Sequence, residues 1–197
     1  MPTILGTLQK LINLFENRNI PYMIIGGYAL PFYGRIRTTI DIDIAVAINT
    51  ESEYEQLRKS LNEINIEITL YSPNNPVMVI VDQKEKVEAE LWLKPDGITF
   101  DNETLTRRKK AKLNNNTNAW IISPEDFIIN KLARPDRGAV DEQDVKSVLI
   151  RQAQKLDNKY LTKRAQQANV LTILEAYKPP KTQQSQPTTT TSHQQLL

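Results

Sequence analysis

The chain has 197 residues, 40% of them hydrophobic and 24% charged, enough apolar material to bury a core and too little length for two full-sized domains. It contains no cysteine and one histidine, His193, which excludes disulfide frameworks, thiolate nucleophiles and cysteine-ligated metals. The formal net charge of +2 conceals an asymmetry: residues 1–105 carry 15 acidic and 9 basic side chains, residues 106–177 carry 8 acidic and 14 basic. Such halves suit a site where carboxylates hold a cation and a basic surface meets phosphates.

In chain order, Ile4, Leu8, Leu11, Ile12 and Phe15 form one stripe of an amphipathic helix over 4–17. A β-rich run, 20–25, stops at Gly26-Gly27, and a short helical stretch leads through Pro31 and Gly34 to a second strand over 39–46. There Ile40, Ile42, Ile44 and Val46 alternate with Asp41 and Asp43, which predicts isoleucines on one face and both aspartates on the other. Thr50 and Glu53 form a capping box for a helix carrying Tyr54, Leu57 and Leu61.

Strands are predicted over 66–71, 77–81 and 87–93. From Asp101 the pattern turns helical, with a basic helix that includes Arg107 and Arg108, a polar loop over 114–118 and a short strand over 120–122. Ser123-Pro124-Glu125-Asp126 opens a further helix, with serine as cap, proline in the first turn and acids at the positive dipole end. Two more helices are read over 141–154 and 158–168. The Pro-, Gln- and Thr-rich segment 178–197 reads as disordered. The expected organisation is an α/β core over 1–100, a helical part over 101–177 packed on it, and the tail. No apolar run approaches the roughly 18 residues of a membrane span, and no signal peptide is visible, so the expected location is the cytoplasm.

Gly26 and Gly27, between a strand and a helix, let backbone N–H groups approach an anion such as a phosphate. Asp41 and Asp43, about 7 Å apart along one strand face, repel each other unless a cation neutralises them, and oxygen ligands of this kind suit Mg²⁺ or Mn²⁺. Glu88 and Glu90 share a face of the strand over 87–93, and either completes a three-carboxylate cluster if the two strands are neighbours. Lys131 lies on an apolar helix, its head directed either into a cleft or to the surface by snorkelling.

Gly26-Gly27, Arg37-Thr38-Thr39-Ile40-Asp41-Ile42-Asp43 and a later strand acid resemble the nucleotidyltransferase superfamily with the DNA polymerase β-type fold. The sequence is most similar to its minimal abortive-infection, type IV toxin-like members. Thr106-Arg107-Arg108, the segment 122–132 and Asp141-Glu142-Gln143-Asp144-Val145 resemble that group's C-terminal helices, and the resemblance covers about residues 15–168. It departs at Tyr28, where many relatives have serine, and in a glutamate as third acid.

The resemblance implies an α+β fold, a mixed sheet flanked by helices and followed by the helical part. It implies that Asp41, Asp43 and Glu90 are the catalytic and metal-ligating residues, with Mg²⁺ or Mn²⁺ as cofactor. Gly26, Gly27, Arg37, Thr39 and Lys131 would bind a nucleoside triphosphate. The implied reaction moves a nucleoside monophosphate to an acceptor hydroxyl on RNA such as tRNA, a protein or a small molecule. Arg107, Arg108, Lys109, Lys110 and Lys112 are the candidate RNA contacts, and a toxin-like role would bring an antitoxin partner. The opposing reading is an inactive member of the fold that serves as a binding module. Asp141 and Asp144 are expected to cap helices and pair with Arg134 or Arg137.

Overall fold

The computed structural model describes residues 3–114 and 117–178; the polar loop at Asn115 and Asn116 and the tail from 179, His193 included, lie outside the described residues. One mixed seven-stranded sheet organises the chain, with helices packed on it, so the architecture is α+β as expected. The strands are β1 (Tyr22–Ile24), β2 (Ile42–Val46), β3 (Ile66–Leu70), β4 (Val77–Asp82), β5 (Val87–Trp92), β6 (Lys109–Lys112) and β7 (Asn118–Ile121), in spatial order β3-β4-β5-β2-β1-β7-β6. The β2–β5 and β1–β7 pairs are parallel and the other four antiparallel.

The first helix, α1 (Ile4–Asn17), buries Leu8, Leu11, Ile12 and Phe15, the stripe its periodicity requires. It gives way to a left-handed residue at Asn19. A single turn, α2 (Gly26–Ala29), and a 3₁₀ turn over Leu30–Phe32 follow β1. In α3 (Glu51–Glu63) the capping box forms: the Glu53 N–H donates to Thr50 Oγ1 at 3.2 Å, and Thr50 N–H donates to Glu53 at 2.9 Å. Ile42, Ile44 and Val46 of β2 are fully buried, which fixes which face of the central strand meets the core.

Three expectations change. The second strand starts at Ile42, so Asp41 lies one residue before it, and Ile40 is 71% exposed rather than aligned with the buried isoleucines. The basic helix, α4 (Asn102–Arg107), includes Arg107 and has Arg108 as its cap, and Lys109–Lys112, given no element in the sequence reading, forms the edge strand β6, paired antiparallel with β7. Four residues pair in register with β7, a tertiary contact that leaves no local signal in the sequence. Residues 101–177 therefore supply two strands as well as α5 (Pro124–Ala133), α6 (Ala139–Arg151), α7 (Asn158–Gln167) and α8 (Leu171–Tyr177), the last of which the sequence reading missed.

The cap of α5 forms as expected, with Asp126 N–H donating to Ser123 Oγ at 3.0 Å. Asp126 is itself buried, accepting from Tyr160 Oη at 2.8 Å and from Ser123 Oγ at 2.9 Å. Burial pushes its carboxyl from 3.8 up to about 6, against the lowering effect of Tyr160, Ser123 and Arg164. A folded-state value above the unfolded one gives stability that is full below about pH 4 and lost as pH rises through about 6. We expect urea denaturation between pH 4 and 7 to show this decline in the wild type and a flatter profile in Asp126→Asn; parallel profiles would refute it.

Candidate active site

Two central strands bring the acids together. In the parallel β2–β5 pair, Asp43 stands in register with Glu90, about 4.8 Å away in backbone spacing. Glu88, two residues earlier on β5, is exposed and faces Val81 of β4 in register. Asp41, exposed just before β2, lines the same cleft as Asp43 and Glu90. That cleft, about 360 Å³, also takes in Gly27, Arg37, Thr39 and Lys131. Of the eight residues expected to be catalytic, metal-ligating or nucleotide-binding, only Gly26 falls outside it, and Gly26 lines the small adjoining recess with Asp43 and Lys131.

The two glycines have a local reason. Gly26 has φ +60°, and a Cβ there would overlap the Asp43 carboxylate, lying 2.7 Å from its Cγ. A Cβ on Gly27 would sit 2.6 Å from Thr39 Oγ1. Glycine is thus required by the close approach of Asp43 and Thr39 to the β1–α2 turn. Gly26→Ala should destabilise the fold by about 2 kcal/mol or more, combining left-handed strain with displacement of Asp43. Thermal melting checks this, and an unchanged midpoint would contradict the packing described.

Charge in the cleft is divided. Asp43 has its carboxyl pushed up chiefly by burial and further by Asp41, against the pull of Lys131, the Trp92 indole and Arg134. Glu90 is pushed up by burial first, then by Asp43 and Asp41, with Trp92 opposing. The Trp92 Nε1–H is buried beside both carboxylates and makes no well-formed hydrogen bond to either. Among the described residues no three His, Cys, Asp or Glu side chains are already drawn together as a metal site. The donor set nonetheless fits a hard divalent cation: carboxylate oxygens only, two of them in register and both with raised proton affinity, beside an unused N–H able to orient them.

Basic groups face the acids from the C-terminal end of α5. Lys131, 4% exposed, lines the cleft while its Nζ donates to Asp141 Oδ1 at 2.7 Å. Its head is thus held by Asp141 rather than snorkelling to water. Burial raises the Asp141 carboxyl, but Lys131, the Gly138 N–H and Arg134 outweigh it and hold it below its ordinary value. Arg134, one turn beyond Lys131, lines the cleft and pairs with Asp136 at 2.8 Å. Arg37 pairs with buried Asp144 at 3.3 Å, and Arg35 with the same carboxylate at 2.8 Å. Asp144 therefore anchors the 34–38 loop, whereas pairing with Arg134 or Arg137 was expected; Asp141 does approach Arg134, at 4.0 Å.

Sequence reasoning missed Trp92, Arg134 and Asp136. Trp92 follows Glu90 by two on β5 and so shares its face, and Arg134 follows Lys131 by three on the α5 periodicity; those spacings were the available signals.

The candidate RNA contacts separate. Arg107 pairs with Asp157 at 2.7 Å and lies over the Tyr160 ring; Arg108 donates to the Tyr22 carbonyl at 2.6 Å and lies over Trp120. Both guanidinium groups are engaged within the protein. Lys109, Lys110 and Lys112 are exposed on the β6 edge, where lysines also discourage edge-to-edge pairing. Another cleft, about 400 Å³, lies at the far end of β1 and β2, where Arg18 pairs with Glu63 and Glu53 caps α3. It contains none of the candidate residues. No helix among the described residues is long and apolar enough to cross a membrane.

A family model described as "Nucleotidyl transferase of unknown function (DUF2204)" matches residues 5–170. Among solved structures, the solution structure of the antibiotic-resistance factor ANT(2'')-Ia is similar with a TM-score of 0.56 at 16% identity, over 90% of this chain and 98% of that one. The lincomycin-bound crystal structure of LnuA, a lincosamide antibiotic adenylyltransferase, is similar with a TM-score of 0.52 at 18% identity, over 75% and 98%. ANT(2'')-Ia in complex with adenylyl-2''-tobramycin gives 0.51 at 15% identity, over 84% and 97%. At these identities the likeness is one of fold. Comparison with curated proteins finds no match.

Proposed function

Because the chain belongs to this nucleotidyl transferase family, we propose that it moves a nucleoside monophosphate from a nucleoside triphosphate to a hydroxyl of a small-molecule acceptor. Asp41, Asp43 and Glu90 are the metal-ligating and catalytic carboxylates of this reading. The observation that carries it is the Asp43–Glu90 register pair, set in one cleft opposite Lys131, Arg134 and Arg37. Glu90 is preferred to Glu88 because only Glu90 stands beside Asp43.

When bound by these carboxylates, Mg²⁺ or Mn²⁺ would neutralise them and stabilise charge on the α-phosphate and the departing pyrophosphate. The side chains do the rest. Lys131, Arg134 and Arg37 hold the triphosphate by charge, and Gly26, Gly27 and Thr39 shape the turn against which it lies. The acceptor oxygen attacks the α-phosphorus, the bond to the bridging oxygen of the pyrophosphate breaks, and the acceptor proton passes to the Glu90 carboxylate, whose proton affinity burial and Asp43 raise. An adjoining groove of about 390 Å³, lined by Ile40, Asp41, Val87, Glu88 and Glu90, gives the acceptor an approach to the same carboxylates.

A small acceptor is favoured over RNA because Arg107 and Arg108 line no part of the carboxylate cleft, and because LnuA and ANT(2'')-Ia, which share the fold, are described with lincomycin and adenylyl-tobramycin. Lys109, Lys110 and Lys112, exposed on the β6 edge, are what remains of an RNA grip. The test is incubation with each α-labelled nucleoside triphosphate, Mg²⁺ and, separately, hydroxylated antibiotics and total RNA. Label is expected on a small molecule. Label on RNA would correct the acceptor class, and no transfer from any nucleotide to any acceptor would end the proposal.

A further inference from the structure

Trp92 closes β5 near the middle of the sheet, and its place follows from the strand. It stands two residues beyond Glu90 and so shares that face, in register with Ala45 of β2 on one side and with Val77 of β4 on the other. Ala45 is small and fully buried, which leaves the indole room to lean across β2 toward Asp43, two residues back on the same face. The indole lines the carboxylate cleft together with Asp41, Asp43 and Glu90, and of these three acids only Asp43 lines the inner recess with it as well.

A donor and an acceptor stand there unjoined. The Nε1–H is buried without a hydrogen-bond partner, and among the described residues the Asp43 carboxylate accepts no well-formed hydrogen bond. The two cations that act on Asp43 are committed elsewhere: Lys131 donates to Asp141 at 2.7 Å, and Arg134 pairs with Asp136 at 2.8 Å. The recess, about 20 Å³, has the space of a single water and admits no ligand group. Asp96 lines it too, but its carboxyl answers to burial, Arg134 and Asp136 and not to the indole. The indole does act on Asp43 and on Glu90, favouring their ionised forms as a nearby donor does. A buried donor left unmet costs about 1–3 kcal/mol, which calls for an acceptor in some state of the molecule.

We propose that Trp92 is a positioning residue for the carboxylates: once a divalent ion and a triphosphate occupy the cleft, its indole N–H donates to Asp43 and fixes the direction in which that carboxylate presents its other oxygen. The Gly26 turn already packs Asp43 from one side; the indole holds it from another. This role rests on the reading of the cleft as a metal and nucleotide site.

Trp92→Phe removes the N–H and keeps an aromatic ring on the strand, so the metal-free variant should melt within a few degrees of the wild type. The chain has two tryptophans, Trp92 and Trp120, hence two indole N–H signals in a ¹H–¹⁵N spectrum, which Trp92→Phe assigns; Trp120→Phe gives the same assignment if the first variant does not fold. On addition of Mg²⁺ and a non-hydrolysable nucleoside triphosphate analogue, the Trp92 signal should move downfield, as a proton entering a hydrogen bond to a carboxylate does, while the Trp120 signal stays. In Mn²⁺ titrations with the same analogue, Trp92→Phe should lower the affinity by about tenfold. The substitution should cost as much on a Glu90→Gln background and less than about twofold on an Asp43→Asn background, because Trp92 acts through Asp43. A Trp92 signal that stays still in a wild type that takes up Mn²⁺, or a Trp92→Phe variant that holds Mn²⁺ as tightly as the wild type, overturns the proposal and leaves the transfer reading standing. No uptake of Mn²⁺ by the wild type would end both.

Discussion

Asp43→Asn is expected to lower nucleotidyl transfer by about 10³-fold while raising the melting temperature of the metal-free protein. The first effect follows from its position. Asp43 is the acid in register with Glu90, packed against the Gly26 turn and lining both the cleft and its inner recess. An amide of the same shape keeps that packing but supplies one weak oxygen donor in place of a carboxylate, which leaves a divalent cation poorly held. The second effect has the opposite sign for an electrostatic reason. Burial and the neighbouring Asp41 hold the Asp43 carboxyl above its ordinary value, so its ionised form at neutral pH costs folding energy that a neutral isostere does not. Transfer assays beside thermal melts in chelator decide both. A variant that is inactive and also less stable would show that Asp43 is chiefly a packing residue.

Lys131→Met is the second large effect. The Lys131–Asp141 pair is buried on both sides, at 2.7 Å, and removing Lys131 leaves a largely buried carboxylate without its ion pair. The expected loss is about 3–5 kcal/mol, reduced to the extent that Arg134 at 4.0 Å and the Gly138 N–H retain Asp141. The double variant Lys131→Met/Asp141→Leu should recover much of it, because no unpaired charge is then left. Urea denaturation of the two variants measures the difference. A single variant within about 0.5 kcal/mol of the wild type would mean that the pair does not hold α5 to α6. In nucleotide assays at low temperature, both variants should show a raised KM for the triphosphate, since Lys131 also faces the cleft.

How much of this was legible in the residues depended on the range of the signal. Helices α1, α3 and α5 were readable because their stripes and caps lie within one or two turns: Thr50 with Glu53, Ser123 with Asp126. The alternation around Asp41 and Asp43 identified the acidic face, and the two-residue spacing in 88–90 left two glutamates as candidates. Only the β2–β5 register separates them, and register is a tertiary property.

The errors also have physical causes. Lys109–Lys112 carries no alternation that reads as a strand, and pairing with β7 at the sheet edge makes it one. Ile40 continues the alternation on paper, yet pairing with β5 begins only at Ile42, so nothing covers it. The anchoring of Arg35 and Arg37 by Asp144 spans more than a hundred residues of chain and leaves no local trace.

In the proposed reaction Asp41, Asp43 and Glu90 together hold a divalent ion with the nucleotide. The direct measurement is a manganese titration followed by electron paramagnetic resonance, in the presence of a non-hydrolysable nucleoside triphosphate analogue. The wild type should immobilise Mn²⁺, and Asp41→Asn, Asp43→Asn and Glu90→Gln should each weaken that binding by about tenfold or more. Manganese uptake that is equal in the wild type and all three variants, or absent from the wild type, would contradict it.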